Sequence, residues 1–165
     1  MELCSGHGAG LVSRKFPAIA RACHKLPPDT LIDAEVVVVD ENERFAFNAV
    51  QHKRPQGHIQ LYAFDILVHR GRNVLRLPIE ERRELLTEAL RKIQYPVIHS
   101  VLFDVKPAEL LRAAEALQFE GVIAKRAGSI YEPGQRSGAW LKYKINCSQE
   151  FVIGGYTLGG ARSMP

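Results

Sequence analysis

The stretch from Phe119 to Lys144 constrains this chain most. Its ends read as two short strands, Phe119-Glu120-Gly121-Val122-Ile123-Ala124-Lys125-Arg126 and Trp140-Leu141-Lys142-Tyr143-Lys144. The loop between them includes Tyr131-Glu132-Pro133-Gly134-Gln135-Arg136-Ser137-Gly138. Side chains alternate across a strand, so Lys142 and Lys144 share one face, with Leu141 and Tyr143 on the other. Two ammonium groups held side by side repel unless an anion lies between them, and a polyphosphate meets that need. Glu120 precedes a near-continuous apolar run, as a carboxylate at the mouth of a buried strand does. It is a candidate to hold a divalent metal on that phosphate. Taken alone, either run also fits a solvated face of alternating Lys and Glu. The pair in this order is more specific.

Length and charge bound the rest. A chain of 165 residues, 46% hydrophobic and 24% charged, has the size and balance of one soluble globular domain with a real core. The net charge of +4 suits a phosphate-bearing partner without identifying one. Cys4, Cys23 and Cys147 are odd in number and too far apart for metal-ligand spacing, which points to a reducing compartment. No apolar run approaches the ~20 residues of a membrane span and no signal peptide is visible. The expectation is a cytoplasmic protein with no membrane partner.

In chain order, the glycine-rich first ten residues read as loop. A helix is expected from Pro17 to His24, with Pro17 suited to its first turn. His24 has no partner at ligand spacing and reads as a helix-end residue. Thr30 to Asp40 is expected to be a strand, its Leu31, Ile32 and four valines at 36–39 buried on both faces. Asp33 and Glu35 lie on one face of it, which fits a pocket or a strand end open to water. Phe45-Ala46-Phe47 and Asn48 to Gln51 lead to a basic loop, His52-Lys53-Arg54-Pro55. His58 to His69 is a second strong strand around the lone acid Asp65, ended by a turn in which Gly71 takes positive φ. A structural helix is expected from Pro78 to Ile93, with Ile79, Leu86, Leu90 and Ile93 on one stripe and Glu and Arg opposite. A strand from Val97 to Phe103, a helix from Pro107 to Leu117, the two organising strands and a last β-like run, 151–156, complete the order. That mixture predicts an α+β fold with antiparallel pairing.

The ordered set Asp33-Ala34-Glu35, Tyr62-Ala63-Phe64-Asp65, Glu120 to Lys125, and Arg136-Ser137-Gly138-Ala139-Trp140-Leu141-Lys142-Tyr143-Lys144 resembles the adenylation domain of bacterial ATP-dependent DNA ligases, including the ligase part of end-joining enzymes. The likeness runs from Leu3 to about Tyr156. It implies a nucleotidyltransferase (ATP-grasp-like) domain over residues 1–147, of mainly antiparallel sheets flanked by helices. Residues 148–165 then resemble the first strand of an oligonucleotide-binding (OB) fold. The resemblance further implies that Glu35 contacts the ribose of the adenylate and that Phe64 stacks on adenine. Glu120 is the metal-associated acid, and the apolar residues after it, Val122 among them, cover the other adenine face. Lys142 and Lys144 hold the α-phosphate, and Arg136 is the arginine preceding that strand. Phe47 falls where such ligases press a ring into the DNA minor groove, with Lys53 and Arg54 as phosphate contacts. The implied cofactors are ATP and a divalent metal such as Mg2+. The implied partner is nicked double-stranded DNA, met by a monomer in the bacterial cytosol or nucleoid.

Three departures qualify the resemblance. The nucleophile motif Lys-x-Asp-Gly occurs nowhere in the 165 residues, and Lys15, Lys25, Lys53, Lys92, Lys106 and Lys125 have no matching context. Gly6 and His7 stand where the family has Arg and Asn, and Ala34 replaces the glycine between two acids. The expectation is therefore a ligase adenylation domain lacking its nucleophile and inactive alone. The alternatives are a non-catalytic remnant that binds nucleotide or DNA, and an RNA ligase or capping-type nucleotidyltransferase. The Arg136 to Lys142 segment and Phe47 fit a DNA ligase better than the latter.

Overall fold

The computed structural model describes residues 15–39, 58–117 and 119–145, together with the backbone of two short strands, β1 (Cys4–Ser5) and β2 (Gly8–Leu11). Phe47, Lys53, Arg54, the Gly6-His7 pair, the 146–149 boundary and the run at 151–156 lie outside these residues.

The longest strand is β4, His58–His69, and everything else in the main sheet leans on it. Strand β3, Leu31–Val39, pairs with it antiparallel along its whole length. The other edge of β4 takes β5, Arg72–Asn73, antiparallel near its end, and β6, Val97–His99, parallel at Leu61 to Ala63. Both edges of β4 are thus covered, as an apolar strand requires. Arg70 and Gly71 both have positive φ in the turn to β5, and Gly71 donates to the Asp29 carbonyl at 2.8 Å.

Helix α1, Pro17–Cys23, and helix α2, Ile79–Leu90, close the core over this sheet. Ile19 and Cys23 meet Leu61, Ala63, Ile66, Val74, Leu86, Ala89, Leu90 and Val97 in one buried cluster. Glu80 and Glu81 sit in the first turn of α2, where the helix dipole favours negative charge. Helix α3, Pro107–Ala116, leads into a separate antiparallel ribbon of β7, Gly121–Lys125, and β8, Trp140–Lys144. Mixed helices and mainly antiparallel sheets bear out the α+β expectation, with β4–β6 as the one parallel pairing among the described residues.

Four local expectations change. The β3 strand is buried on both faces only at Val37 to Val39, while Leu31 at its start is 53% exposed. The strand expected over 97–103 stops at His99, and Val101, Leu102 and Phe103 are exposed. Strand β7 is only partly buried, since the ribbon has a single partner strand, and Ile123 is 55% exposed. Arg82 does not lie opposite the apolar stripe of α2 but inside it, fully buried.

Candidate active site

The register of β3 on β4 slips between Asp33 and Ala34: Asp33 faces Asp65, yet Ala34 faces Ala63, leaving Phe64 as the extra residue. Such a bulge breaks strict alternation and re-aims a side chain. Asp65 and Ile66 are consecutive and both fully buried, while Phe64 is only half-buried. The slip also sets two aspartates opposite one another, which costs free energy unless each finds its own partner. Asp65 takes Arg82 in a two-point pair, Nε to Oδ1 at 2.8 Å and Nη2 to Oδ2 at 3.0 Å, with both side chains fully buried. Asp33 accepts the Tyr131 hydroxyl at 2.6 Å. Burial, and then that carboxylate, push the tyrosine well above its ordinary range.

The remaining donors of Arg82 tie the β7–β8 loop to the core. Its Nη1 donates to the Leu77 carbonyl at 2.6 Å and the Ser129 carbonyl at 3.0 Å. The Gly128 N–H donates to both oxygens of Glu80, at 2.9 and 3.1 Å, which lowers the Glu80 carboxyl below its usual range. Tyr131 N–H donates to the Leu75 carbonyl at 2.8 Å. One buried arginine therefore joins the strand bearing Phe64 to the loop bearing Arg136.

On the ribbon, Lys125 faces Trp140, Ile123 faces Lys142 and Gly121 faces Lys144. Directly opposed residues share a face, so Lys125, Ile123, Trp140, Lys142 and Lys144 lie together. Val122 faces Tyr143 and belongs to the other side with Leu141. The ribbon thus separates Val122 from Lys142 and Lys144 and puts Ile123 beside them. Alternation along β7 was enough to find this once the register was known. Gly121 is required where it stands, because a Cβ there would collide with the Tyr143 carbonyl oxygen and lie 3.1 Å from Lys144 Cα. Lys142 Nζ pairs with Glu120 Oε1 at 3.3 Å, each side chain about half exposed. One of the two cations thus already has its anion.

The two halves meet at an aromatic cluster. Phe64 and Trp140 contact edge to face with centroids 6.4 Å apart, and Tyr131 meets Trp140 at 5.3 Å. The Lys125 ammonium lies between the rings, 3.6 Å from the Trp140 centroid and 4.9 Å from that of Phe64. It donates to the Phe64 carbonyl at 3.4 Å and approaches Asp65 Oδ2 at 3.8 Å. Burial pushes it down to about 8, against the attraction of Asp65. Glu35 is exposed on β3. Arg136, with Glu132, Gln135, Ser137, Tyr131 and Trp140, lines a concavity of about 230 Å³ beside the cluster. Within it, Ser137 donates to Glu132.

The structure brings Phe64 against the ribbon through Trp140 and pairs Glu120 with Lys142. Arg82, Tyr131 and Lys125 were missed. Arg82 carried a signal, standing three residues after Ile79 and four before Leu86, within the apolar stripe. Tyr131 and Lys125 carried none, because only the fold sets them beside Asp33 and Phe64.

Residues 8–144 match the family model described as ATP dependent DNA ligase domain. The chain is 38% identical over 134 residues to the multifunctional non-homologous end joining protein LigD of Mycolicibacterium smegmatis, covering 81% of this chain and 17% of that protein. It is 39% identical over 130 residues to LigD of Pseudomonas aeruginosa, covering 76% and 15%. A DNA ligase of Thermococcus fumicolans is 30% identical over 168 residues, covering 92% and 30%. Among solved structures, the ligase domain from M. tuberculosis LigD superposes with a TM-score of 0.74 at 28% identity, covering 87% of this chain and 46% of that one. A mycobacterial DNA ligase D complexed with ATP and MES gives the same TM-score and identity, covering 87% and 47%. The chain spans less than a third of the length of these curated relatives and about half of the solved ligase domains.

Proposed function

Because the chain belongs to the family of ATP-dependent DNA ligase domains, we propose that it contributes the nucleotide pocket of an enzyme that joins 3′-hydroxyl and 5′-phosphate ends at nicks in duplex DNA. The observation that carries this reading is the meeting of Phe64 from β4 with the ribbon face that bears Trp140, Lys142 and Lys144. A half-buried ring beside a cationic strand suits a ligand with a flat apolar base at one end and phosphate at the other. Phe64 is the stacking ring, and Ile123 replaces Val122 as the apolar cover, since it shares the face of the lysines. Glu35, exposed on β3, is the proposed ribose contact. Lys142 and Lys144 hold the α-phosphate and neutralise charge that grows on it in the transition state. Arg136 offers a further cation from the loop concavity.

A divalent cation such as Mg2+ fits this set through Glu120. No group of three or more His, Cys, Asp or Glu residues able to hold a metal occurs among the described residues. One carboxylate is nonetheless what Mg2+ uses when phosphate oxygens and water complete its shell. Glu120 would exchange Lys142 for the metal, which screens phosphate charge when bound. On the DNA side, Phe47 is proposed as a minor-groove wedge, with Lys53 and Arg54 as phosphate contacts. DNA affinity should then fall steeply with salt. Residues 1–147 are assigned to the adenylation domain and 148–165 to the start of an OB-fold. The chain is proposed to act as a monomer in the cytosol. Among the described residues no helix is long and apolar enough to cross a membrane.

One observation favours a second reading, a non-catalytic nucleotide- or DNA-binding chain: Gly6 stands where the family has an arginine. Covalent adenylation needs an amine delivered in line to phosphorus. Incubation with radiolabelled ATP and Mg2+, then a denaturing gel and mass mapping, tests both. The expected result is no lysyl-AMP on this polypeptide but saturable ATP binding by calorimetry. An acid-labile AMP adduct on any lysine here overturns the assignment of roles, and absence of ATP binding overturns the nucleotide pocket itself.

A further inference from the structure

We propose that Lys125 is a positioning residue, whose ammonium, held between the Trp140 and Phe64 rings and hydrogen-bonded to the Phe64 carbonyl, pins the stacking ring of β4 to the cationic ribbon β7–β8. This rests on the nucleotide reading above.

The side chain of Lys125 is only 13% exposed, so its ammonium has given up most of its water. Asp65, the acid within reach, already accepts Arg82 at 2.8 and 3.0 Å and the Ile66 N–H at 2.9 Å, and its ion pair with Lys125 is the longer one, at 3.8 Å. Its closest contacts are the Phe64 carbonyl at 3.4 Å and the face of Trp140 at 3.6 Å, tryptophan being the best ring for a cation. An apolar side chain of similar length could fill the same gap without the cost of desolvating a charge. The charge is thus not explained by packing. It is explained by what it joins: among the described residues the ammonium is a direct side-chain link between the β4 bulge at Phe64 and the ribbon. Lys125 also shares a ribbon face with Lys142 and Lys144, adding a third positive charge where the phosphate is proposed to lie.

Trp140 is the only tryptophan of the chain, which makes the contact observable. Asp65 from β4, Asp33 from β3, and Arg82 and Arg83 from α2 act on the ammonium, while Tyr131 from the loop packs edge-on against the same Trp140 ring. Burial lowers Lys125 to about 8 and raises Tyr131 far above that. Trp140 emission should therefore change with a midpoint near pH 8 in the wild-type chain, and Lys125→Met should abolish the transition. At pH 7, Lys125→Met should weaken ATP binding about tenfold by calorimetry. Lys125→Arg, which keeps a cation that stacks on rings, should recover most of it. The Met variant should melt no lower than wild type at pH 7, separating loss of the pin from loss of the fold. Trp140 emission that is the same in wild type and Lys125→Met at every pH, including pH 7 where the ammonium is charged, overturns the proposal. So does ATP binding unchanged in the Met variant. A wild-type chain that shows the transition but binds no ATP overturns the nucleotide reading and leaves Lys125 as the pin between sheet and ribbon.

Discussion

On β4 the residues flanking Phe64, Ala63 and Asp65, are fully buried, whereas on β8 every residue from Leu141 to Lys144 is exposed. Both regions carry the proposed site, under opposite physical conditions. The β4 side is held by packing and by one desolvated ion pair, so its geometry is set before any ligand arrives. The ribbon is a two-stranded sheet with one packed strand end and open faces, an arrangement of marginal stability by itself. It is kept in place by side-chain ties: Arg82 to Ser129, Glu80 to Gly128, Tyr131 to Asp33 and Lys125 to Phe64. The difference teaches that base recognition and phosphate recognition need different supports. A stacking ring must be fixed, while long cationic side chains can find a phosphate from a looser strand.

The largest effect should come from the buried pair. Arg82→Ala leaves Asp65 with only the more distant Lys125 ammonium at 3.8 Å and releases the loop, and should cost ~3–5 kcal/mol of stability in urea denaturation. Lys142→Ala breaks an exposed pair with Glu120 and should cost at most ~1 kcal/mol. Equal losses would erase the distinction between the two regions.

Core truncation gives the next contrast. Leu86→Ala should lose ~2–5 kcal/mol, because the fully buried side chain leaves a cavity between α2 and the sheet. Leu141→Ala, 61% exposed on the ribbon, should stay within ~0.5 kcal/mol. A large loss at Leu141 would mean that the ribbon is a packed element in solution.

Binding should divide in the reverse sense. Phe64→Ala should weaken ATP binding by ~1–3 kcal/mol, the range of aromatic–base stacking. Ile123→Ala should weaken it more than Val122→Ala, which calorimetry on the three variants can rank. A stronger effect of Val122 would reverse the face assignment.

The smallest effect is a pH slope. Lys125 titrates near 8 in the folded chain against an ordinary 10.5. Above pH 8 the unfolded chain therefore holds a proton that the folded chain lacks. By linkage this residue makes stability rise with pH between about 8 and 10.5, and its cost is fully present below 8. Thermal melts of wild type and Lys125→Met should converge or cross as pH rises from 7 to 10. Parallel curves would show that the ammonium is solvated.

What the sequence determined by itself was local and periodic. The run from His58 to His69, the turn at Gly71, the helices opening at Pro17, Pro78 and Pro107, and the strand pair around Lys125 and Trp140 follow from alternation, turn chemistry and helix starts. Residue types marked Glu120, Lys142 and Lys144 as candidates, and the family resemblance added Phe64, before any geometry was known. Only the tertiary structure decided which face each residue serves and who neutralises whom. The bulge at Phe64 depends on how β3 and β4 slide together, and it is this slip that opposes Asp33 to Asp65. Arg82 and Tyr131 then become necessary, 17 and 98 residues away from the acids they satisfy. Lys125 lies 61 residues from Phe64 and reads in sequence as an ordinary strand-end lysine. Desolvation and ring contacts arise only on folding, so no local pattern could announce them.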